Sequence, residues 1–355
     1  HRCSGNATGN LTNQHFVCVE YWKYNQIINS LHPTTTKHEV PEVYHEPHVE
    51  TGFRRTHQPW SYYFWSLFQK HNECMNSWTH LIGLLLTLGR MYEFSREFSL
   101  LSDPHMWPLT SGMITMILMY MCSTFAHCFS NKSELVHYTG FMVDYAGIGL
   151  FGFGSAILHY AYCMDETLLG SFFHRYSVTL AMILGLSIAF CCSISKTMYK
   201  RPYPFTRKIW QMGSVGAMYA WLILPIAHRL FLALLDQNNE DPGITHHSQQ
   251  IFWFAVSGFF FGSDIPQRFF PGRCDFLGHS HQIFHACIVM VTIKQLDGIY
   301  SDLHFIQPHI TYMSIPTFRD TFGALFGQLF FLAIIVTYFS FIAKKRIESE
   351  SKSLS

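Results

Sequence analysis

Two histidines four residues apart, His281 and His285, open the apolar run Ile283 to Thr292 of this 355-residue chain. On a helix both imidazoles project from one face, at a spacing that a metal ion can use. Ser123 and His127 repeat the interval in another apolar run, and Asp144 lies inside a third. A carboxyl group within a membrane span costs roughly 2.5–3.5 kcal/mol on insertion scales and so calls for a function. Three imidazoles beside a carboxylate suit Zn²⁺, with a fourth position left for water that the metal would acidify. Asp144 would then orient that water or act as general base, and Ser123 would hydrogen-bond the polarised oxygen or hold a nearby water. Each residue also has a plainer reading. The HxxxH pair could stack at a helix end, His127 could sit at the interface, Asp144 could bond a helix end, and Ser123 could back-bond to its own helix. What separates the readings is whether the elements carrying these residues bring them to one depth.

The elements are apolar helices. The chain is 49% hydrophobic, 17% aromatic and 13% charged, against about 25% charged residues in ordinary soluble domains. The net charge of +1 lacks the basic excess that a nucleic-acid partner requires. By the ~20-residue criterion, apolar spans are expected at 75–95, 106–128, 138–162, 171–194, 209–235, 250–264, 281–298 and 321–343. The fold class is therefore an all-α integral membrane protein: a seven-transmembrane-helix bundle (75–298) with an eighth, C-terminal helix beyond a loop at 299–320. A polar, disordered segment is expected at 1–45, an amphipathic interfacial segment rich in Trp, Tyr and Phe at 46–74, and a tail at 344–355. No cysteine pair has CxxC spacing, so free thiols are the default. Two sequons, at Asn6 and Asn10, accompany Cys3 and Cys18 near the start, nothing there resembles a cleavable signal peptide, and the first residue is His, not Met.

Lys and Arg set the orientation. Lys196, Lys200, Arg201, Arg207 and Lys208 lie between spans four and five, Arg268 and Arg273 between six and seven, and Lys344, Lys345 and Arg346 after span eight. The loop between five and six carries Asp236, Glu240 and Asp241 and neither Lys nor Arg. Both termini are then cytoplasmic and the sequons go unused. With this topology Ser123, His127, Asp144, His281 and His285 all fall in one layer near the inner leaflet. Glu73, Asn76 and His80 start span one on the same side and could buttress the layer. His159, His228 and His279 read as ordinary satisfied polar residues.

These elements, in order, resemble a known family. Glu73-x-x-Asn76-x-x-Thr79-His80-x-x-Gly83, Ser123-x-x-x-His127, Asp144-Tyr145-x-Gly147 and Ser280-His281-Gln282-Ile283-Phe284-His285 look like the progestin and adipoQ receptor family, from about Val43 to the end of span seven. Tyr62-Tyr63-Phe64, Ser66 to Glu73 and Arg201-Pro202-Tyr203-Pro204, with the eighth span, resemble its membrane progestin receptor branch. The resemblance implies zinc held by His127, His281 and His285, with Asp144 and Ser123 beside it. It further implies a plasma-membrane receptor for progestin-like steroids or related lipids, with a G protein as candidate cytoplasmic partner. The site chemistry on its own favours a zinc-dependent amidase acting on a ceramide-like lipid, and the two roles are compatible.

Overall fold

In the computed structural model, residues 31–199, 203–235, 241, 243–306 and 315–354 are described. The sequons, Cys3 and Cys18 lie outside them. The described residues are mostly helical. After a short helix α1 (Trp60–Trp65) come α2 (Cys74–Glu97), α3 (Trp107–Phe129), α4 (Glu134–Tyr162), a single turn α5 (Phe172–Arg175), α6 (Ser177–Met198), α7 (Phe205–Leu222), α8 (Leu224–Leu235), α9 (Ile244–Ser263), α10 (Ser280–Ile306) and α11 (Ala324–Leu354). α3, α4, α6, α10 and α11 are each long and apolar enough to cross a membrane, and α7 with α8 forms one further span bent by 55°. α2 and α9 have 24 and 20 residues, about 36 and 30 Å at 1.5 Å per residue, enough to cross a ~30 Å hydrocarbon layer. They are less apolar because α2 ends on Arg90, Glu93, Arg96 and Glu97 and α9 begins with His246, His247, Gln249 and Gln250. Leu85, Leu88, Phe190, Phe252, Phe330 and Phe331 stand exposed on the outer faces. A patch that extensive on helices of this length is a lipid-facing surface. This is a helical membrane protein.

α4 is the central helix, packed by α3, α6, α7, α10 and α11. Small residues allow that crowding. A Cβ on Gly149 would lie 2.3 Å from the Gly185 carbonyl oxygen of α6, and one on Gly83 of α2 would lie 2.5 Å from the Tyr120 ring of α3. α10 packs between α9 and α2.

The bend between α7 and α8 has a local cause. Pro225 carries no N–H, so the carbonyl four residues earlier, at Trp221, loses its helical donor. The Tyr160 hydroxyl donates to that oxygen at 3.1 Å, and His159 Nδ1 donates to the adjoining Leu222 carbonyl at 2.8 Å. The break is thus satisfied from α4.

Several expected boundaries shift. The polar N-terminal segment does not extend to 45 as disordered chain. Strand β1 (Thr35–Thr36) pairs antiparallel with β2 (Thr51–Phe53), and 3-10 turns occupy Lys37–Glu39 and Glu42–Tyr44. Within 46–74 the aromatics divide between two faces: Trp60, Phe64 and Phe68 are exposed, whereas Tyr62, Tyr63 and Leu67 are buried. Phe53 and Arg54 are fully buried, and Arg54 bonds the carbonyls that end α3. α10 runs to Ile306, into the segment expected as a loop. α11 continues through the segment expected as a tail, and its Arg346 donates to the Thr197 carbonyl at the end of α6.

Candidate metal centre and adjoining cavity

Two elements deliver the three histidines, each anchored by side-chain bonds, and a third supports them. α3 brings His127 in its last turn. Arg54, wholly buried, closes that helix end: Nη1 donates to the Cys128 carbonyl at 2.5 Å and to Ser66 Oγ at 2.9 Å, and Nη2 donates to the His127 carbonyl at 2.9 Å. A guanidinium at a helix C-terminus meets both the orphan carbonyls and the negative end of the helix dipole. α10 brings His281 and His285. Its start is fixed by Gln267, whose Oε1 accepts from the Ser280 N–H at 2.7 Å while Nε2 donates to Ser280 Oγ at 2.8 Å. Gly278, at φ +91, takes the left-handed turn before it. Asp275 ties this loop to β2 by accepting from the Thr51 N–H and Oγ1 at 2.8 and 2.7 Å. α2 supplies the supporting groups Glu73, Asn76, Thr79 and His80.

The ligand nitrogens of His127, His281 and His285 all lie within 4.8 Å of one another. His127 Nε2 and His281 Nε2 are 3.3 Å apart. Two nitrogens on a tetrahedral zinc at 2.0–2.1 Å would be about 3.3 Å apart. The tautomers agree with this use. His127 Nδ1 lies 2.7 Å from Glu73 Oε2, and His285 Nδ1 lies 3.2 Å from the Asn76 carbonyl oxygen. Carboxylate and carbonyl oxygens only accept, so both Nδ1 atoms carry the proton and both Nε2 lone pairs are left for a ligand. Outer partners of this kind are the usual support of metal-binding histidines. The donor set fits zinc. Burial opposes charge on Glu73, yet the His127 imidazole and the Asn76 amide, which donates to Glu73 Oε2 at 2.7 Å, hold its carboxyl below the ordinary carboxylate range.

His80 stacks on His285 with ring centroids 3.7 Å apart, and both of its nitrogens are buried without a hydrogen-bond partner. Ser123 and Asp144 are buried beside one another and line the same cavity as the three histidines. The structure therefore gathers all five expected site residues into one place. A second trio, Cys163, His247 and Asp302, is also close enough to hold an ion. His247 Nε2 already donates to Asp302 at 2.8 Å, however, and Arg229 pairs with Asp302 at 2.8 Å and with Asp241 at 2.6 Å. Asp302 and His247 are thus already committed to one another and Asp302 to Arg229, and the trio fits an ion-pair network better than a metal site.

The histidine layer opens into a cavity of about 400 Å³ that runs up the bundle between α4, α7, α9 and α10. Its walls are mostly apolar, with Phe151, Met218, Phe254, Phe284 and Ile288 among them, and it ends on His159, Gln250 and Gln295. His159 is thus both satisfied and part of the cavity, a placement that one-dimensional reading does not provide. Arg54 likewise falls inside the expected interfacial segment, and the only signal the sequence gives for it is a cation set in an aromatic stretch.

Residues 68–296 match the family described as Haemolysin-III related. The chain belongs to that family. Within it, membrane progestin receptor beta of Homo sapiens is 40% identical over 282 residues, covering 78% of this chain and 79% of the relative. Membrane progestin receptor alpha-B of Danio rerio is 36% identical over 74% of this chain and 75% of its own length. Membrane progestin receptor alpha of Homo sapiens is 34% identical over 78% and 82%. The chain therefore sits in the membrane progestin receptor branch, as the motifs around Tyr62 and Ser66 imply. The family match runs from before α2 into α10 and so includes every residue of the histidine layer.

Proposed function

We propose that this protein is a plasma-membrane receptor for a progestin-like steroid or related lipid, with zinc held by His127, His281 and His285 at the inner end of the ligand cavity. The observation that carries the reading is the cavity itself. At about 400 Å³ it lies within the 300–1,000 Å³ range of small-molecule sites, apolar along its walls and polar at a few points. Relatives named membrane progestin receptors cover the elements that build it. When bound, zinc supplies a Lewis acid at the cavity end. Glu73 and the Asn76 carbonyl hold the imidazoles in the required tautomer, and Arg54 fixes the helix end that carries His127.

A second reading, a zinc-dependent amidase acting on a ceramide-like lipid, is favoured by one feature. Asp144 and Ser123 face the histidines from within the cavity, where a receptor has no evident need of a carboxylate. Asp144 would take a proton from the attacking water and return it to the amine as the C–N bond breaks, while Ser123 would donate to the carbonyl oxygen. Hydrolysis could then be the output of ligand binding.

One experiment tests both. Purified wild type, His281→Ala and Asp144→Asn are assayed for zinc content, steroid binding and ceramide hydrolysis. The expectation is about one zinc per wild-type chain, strongly reduced zinc in His281→Ala, and retained zinc with steroid binding in Asp144→Asn. If the amidase reading holds, Asp144→Asn lowers turnover by roughly 10²–10⁴-fold. Unchanged zinc in His281→Ala refutes the site; zinc-loaded, steroid-binding wild type without turnover leaves the receptor alone.

A further inference from the structure

The far end of the cavity is polar in a way that its packing does not require. His159 on α4, Gln250 on α9 and Gln295 on α10 are all buried and all line it. Polar side chains at this depth in a membrane bundle are costly unless bonded or used. Their bonds have a fixed direction. His159 Nδ1 donates to the Leu222 carbonyl at 2.8 Å, so its Nε2 must accept, and Gln295 Nε2 donates to it at 3.0 Å. His247 Nε2 donates to the Asp302 carboxylate at 2.8 Å, so its Nδ1 accepts, and Gln250 Nε2 donates to it at 2.8 Å. Gln295 Oε1 in turn accepts from Ser155 Oγ at 3.2 Å. Both amides are thereby oriented from outside, one by the Leu222 carbonyl at the α7–α8 bend through His159 and one by the Arg229–Asp302 ion pair through His247. Each amide nitrogen carries a second N–H.

We propose that Gln250 and Gln295, oriented by His247 and His159, form a second recognition site that binds an acceptor oxygen on the end of the ligand remote from the histidines. His285 and Gln295 are ten residues apart on α10, about 15 Å of rise. Asp144 and Ser155 on α4 span about 17 Å in the same direction. The wall between them is mostly apolar, with Gln211 and Ser257 among its few polar side chains. A ligand that fills this space is an elongated apolar skeleton with oxygen at both ends, such as a steroid carrying a carbonyl on its first ring and another on its side chain. A lipid with one polar head satisfies only the histidine end. The inference rests on the receptor reading and specifies the ligand that the receptor selects.

The test uses the full chain, zinc-loaded, in lipid nanodiscs, with progesterone and two analogues, each lacking one of the two carbonyls. In wild type the analogue lacking the oxygen that faces the amides binds about tenfold more weakly than progesterone, as expected when a buried N–H loses its acceptor. In Gln295→Met progesterone falls to that level, the difference from that analogue disappears, and discrimination at the other end persists. Gln250→Met, which leaves the His159 bond intact, is made in parallel. A zinc content equal to that of wild type marks a folded variant. Variants that weaken progesterone and both analogues alike, or none of them, overturn the second site while leaving the receptor standing. A wild type that binds none of the three steroids overturns the receptor reading and this one with it.

Discussion

Two buried residues outside the spans decide how the histidine end holds together. Arg54 bridges two main-chain carbonyls and Ser66 with one planar group. A lysine has one ammonium and lacks the fork, so Arg54→Lys leaves at least one carbonyl of α3 unpaired, at about 1–3 kcal/mol. The expected result is a lower unfolding midpoint in detergent together with weaker zinc retention, because the same turn carries His127. Wild-type zinc affinity in a destabilised Arg54→Lys would separate Arg54 from the site. His71 gives a pH dependence. Burial, and then the nearby Arg54 charge, push its imidazole well below its usual 6.5, and its Nδ1 accepts from the Glu73 N–H at 3.1 Å. The unfolded chain therefore binds a proton that the folded chain refuses. Stability from this group is complete above about pH 6.5 and declines as pH falls below it, by at most about 1.4 kcal/mol per pH unit. His71→Asn keeps an acceptor and removes the titration, so its midpoint should fall less steeply between pH 6.5 and 5.5 than that of wild type. Parallel slopes would exclude His71.

Among the elements, α4 sets the spacing of everything around it. Gly149 meets the backbone of Gly185, which cannot swing aside. Gly149→Ala should cost about 1–3 kcal/mol by overpacking. Gly89 on α2 has nothing within 4 Å of an added Cβ, so Gly89→Ala should be neutral or stabilising by up to about 1 kcal/mol. Thermal melts of the two variants distinguish a crossing that needs glycine from a helix that merely contains one. The sequence made the helices legible as apolar runs of the right length, and it placed Ser123, His127, Asp144, His281 and His285 at one depth through span order and loop charge. It did not expose the cap. Arg54 acts on carbonyls more than seventy positions along, and hydropathy, which reads a few residues at a time, sees only a cation among aromatics. The floor of the cavity was hidden for the same reason: His159, Gln250 and Gln295 come from three helices and mean little singly.

For the whole molecule, the outstanding variable is its sidedness. From the Lys and Arg of the loops at the histidine end we infer, by the positive-inside rule, that this end and both termini are cytoplasmic. A glycosylation-mapping experiment decides it. Asn6 and Asn10 should stay unmodified in intact cells, whereas an acceptor engineered between α8 and α9 should be modified. Sugar on Asn6 or Asn10 would turn the molecule over and place the histidines outside. Either way the cavity lies within the membrane-spanning part of the bundle, between α4, α7, α9 and α10.

The length of α11 has a practical use. Its 31 residues rise about 46 Å, roughly 16 Å more than the hydrocarbon layer needs. Arg346 braces the part that overshoots against the end of α6. A fluorescent protein spliced onto that rod in continuous helical register would have no slack of its own. Any tilt of α6 against α4 on ligand capture would swing the fluorophore as a pointer, and polarised emission from oriented membranes could read the angle.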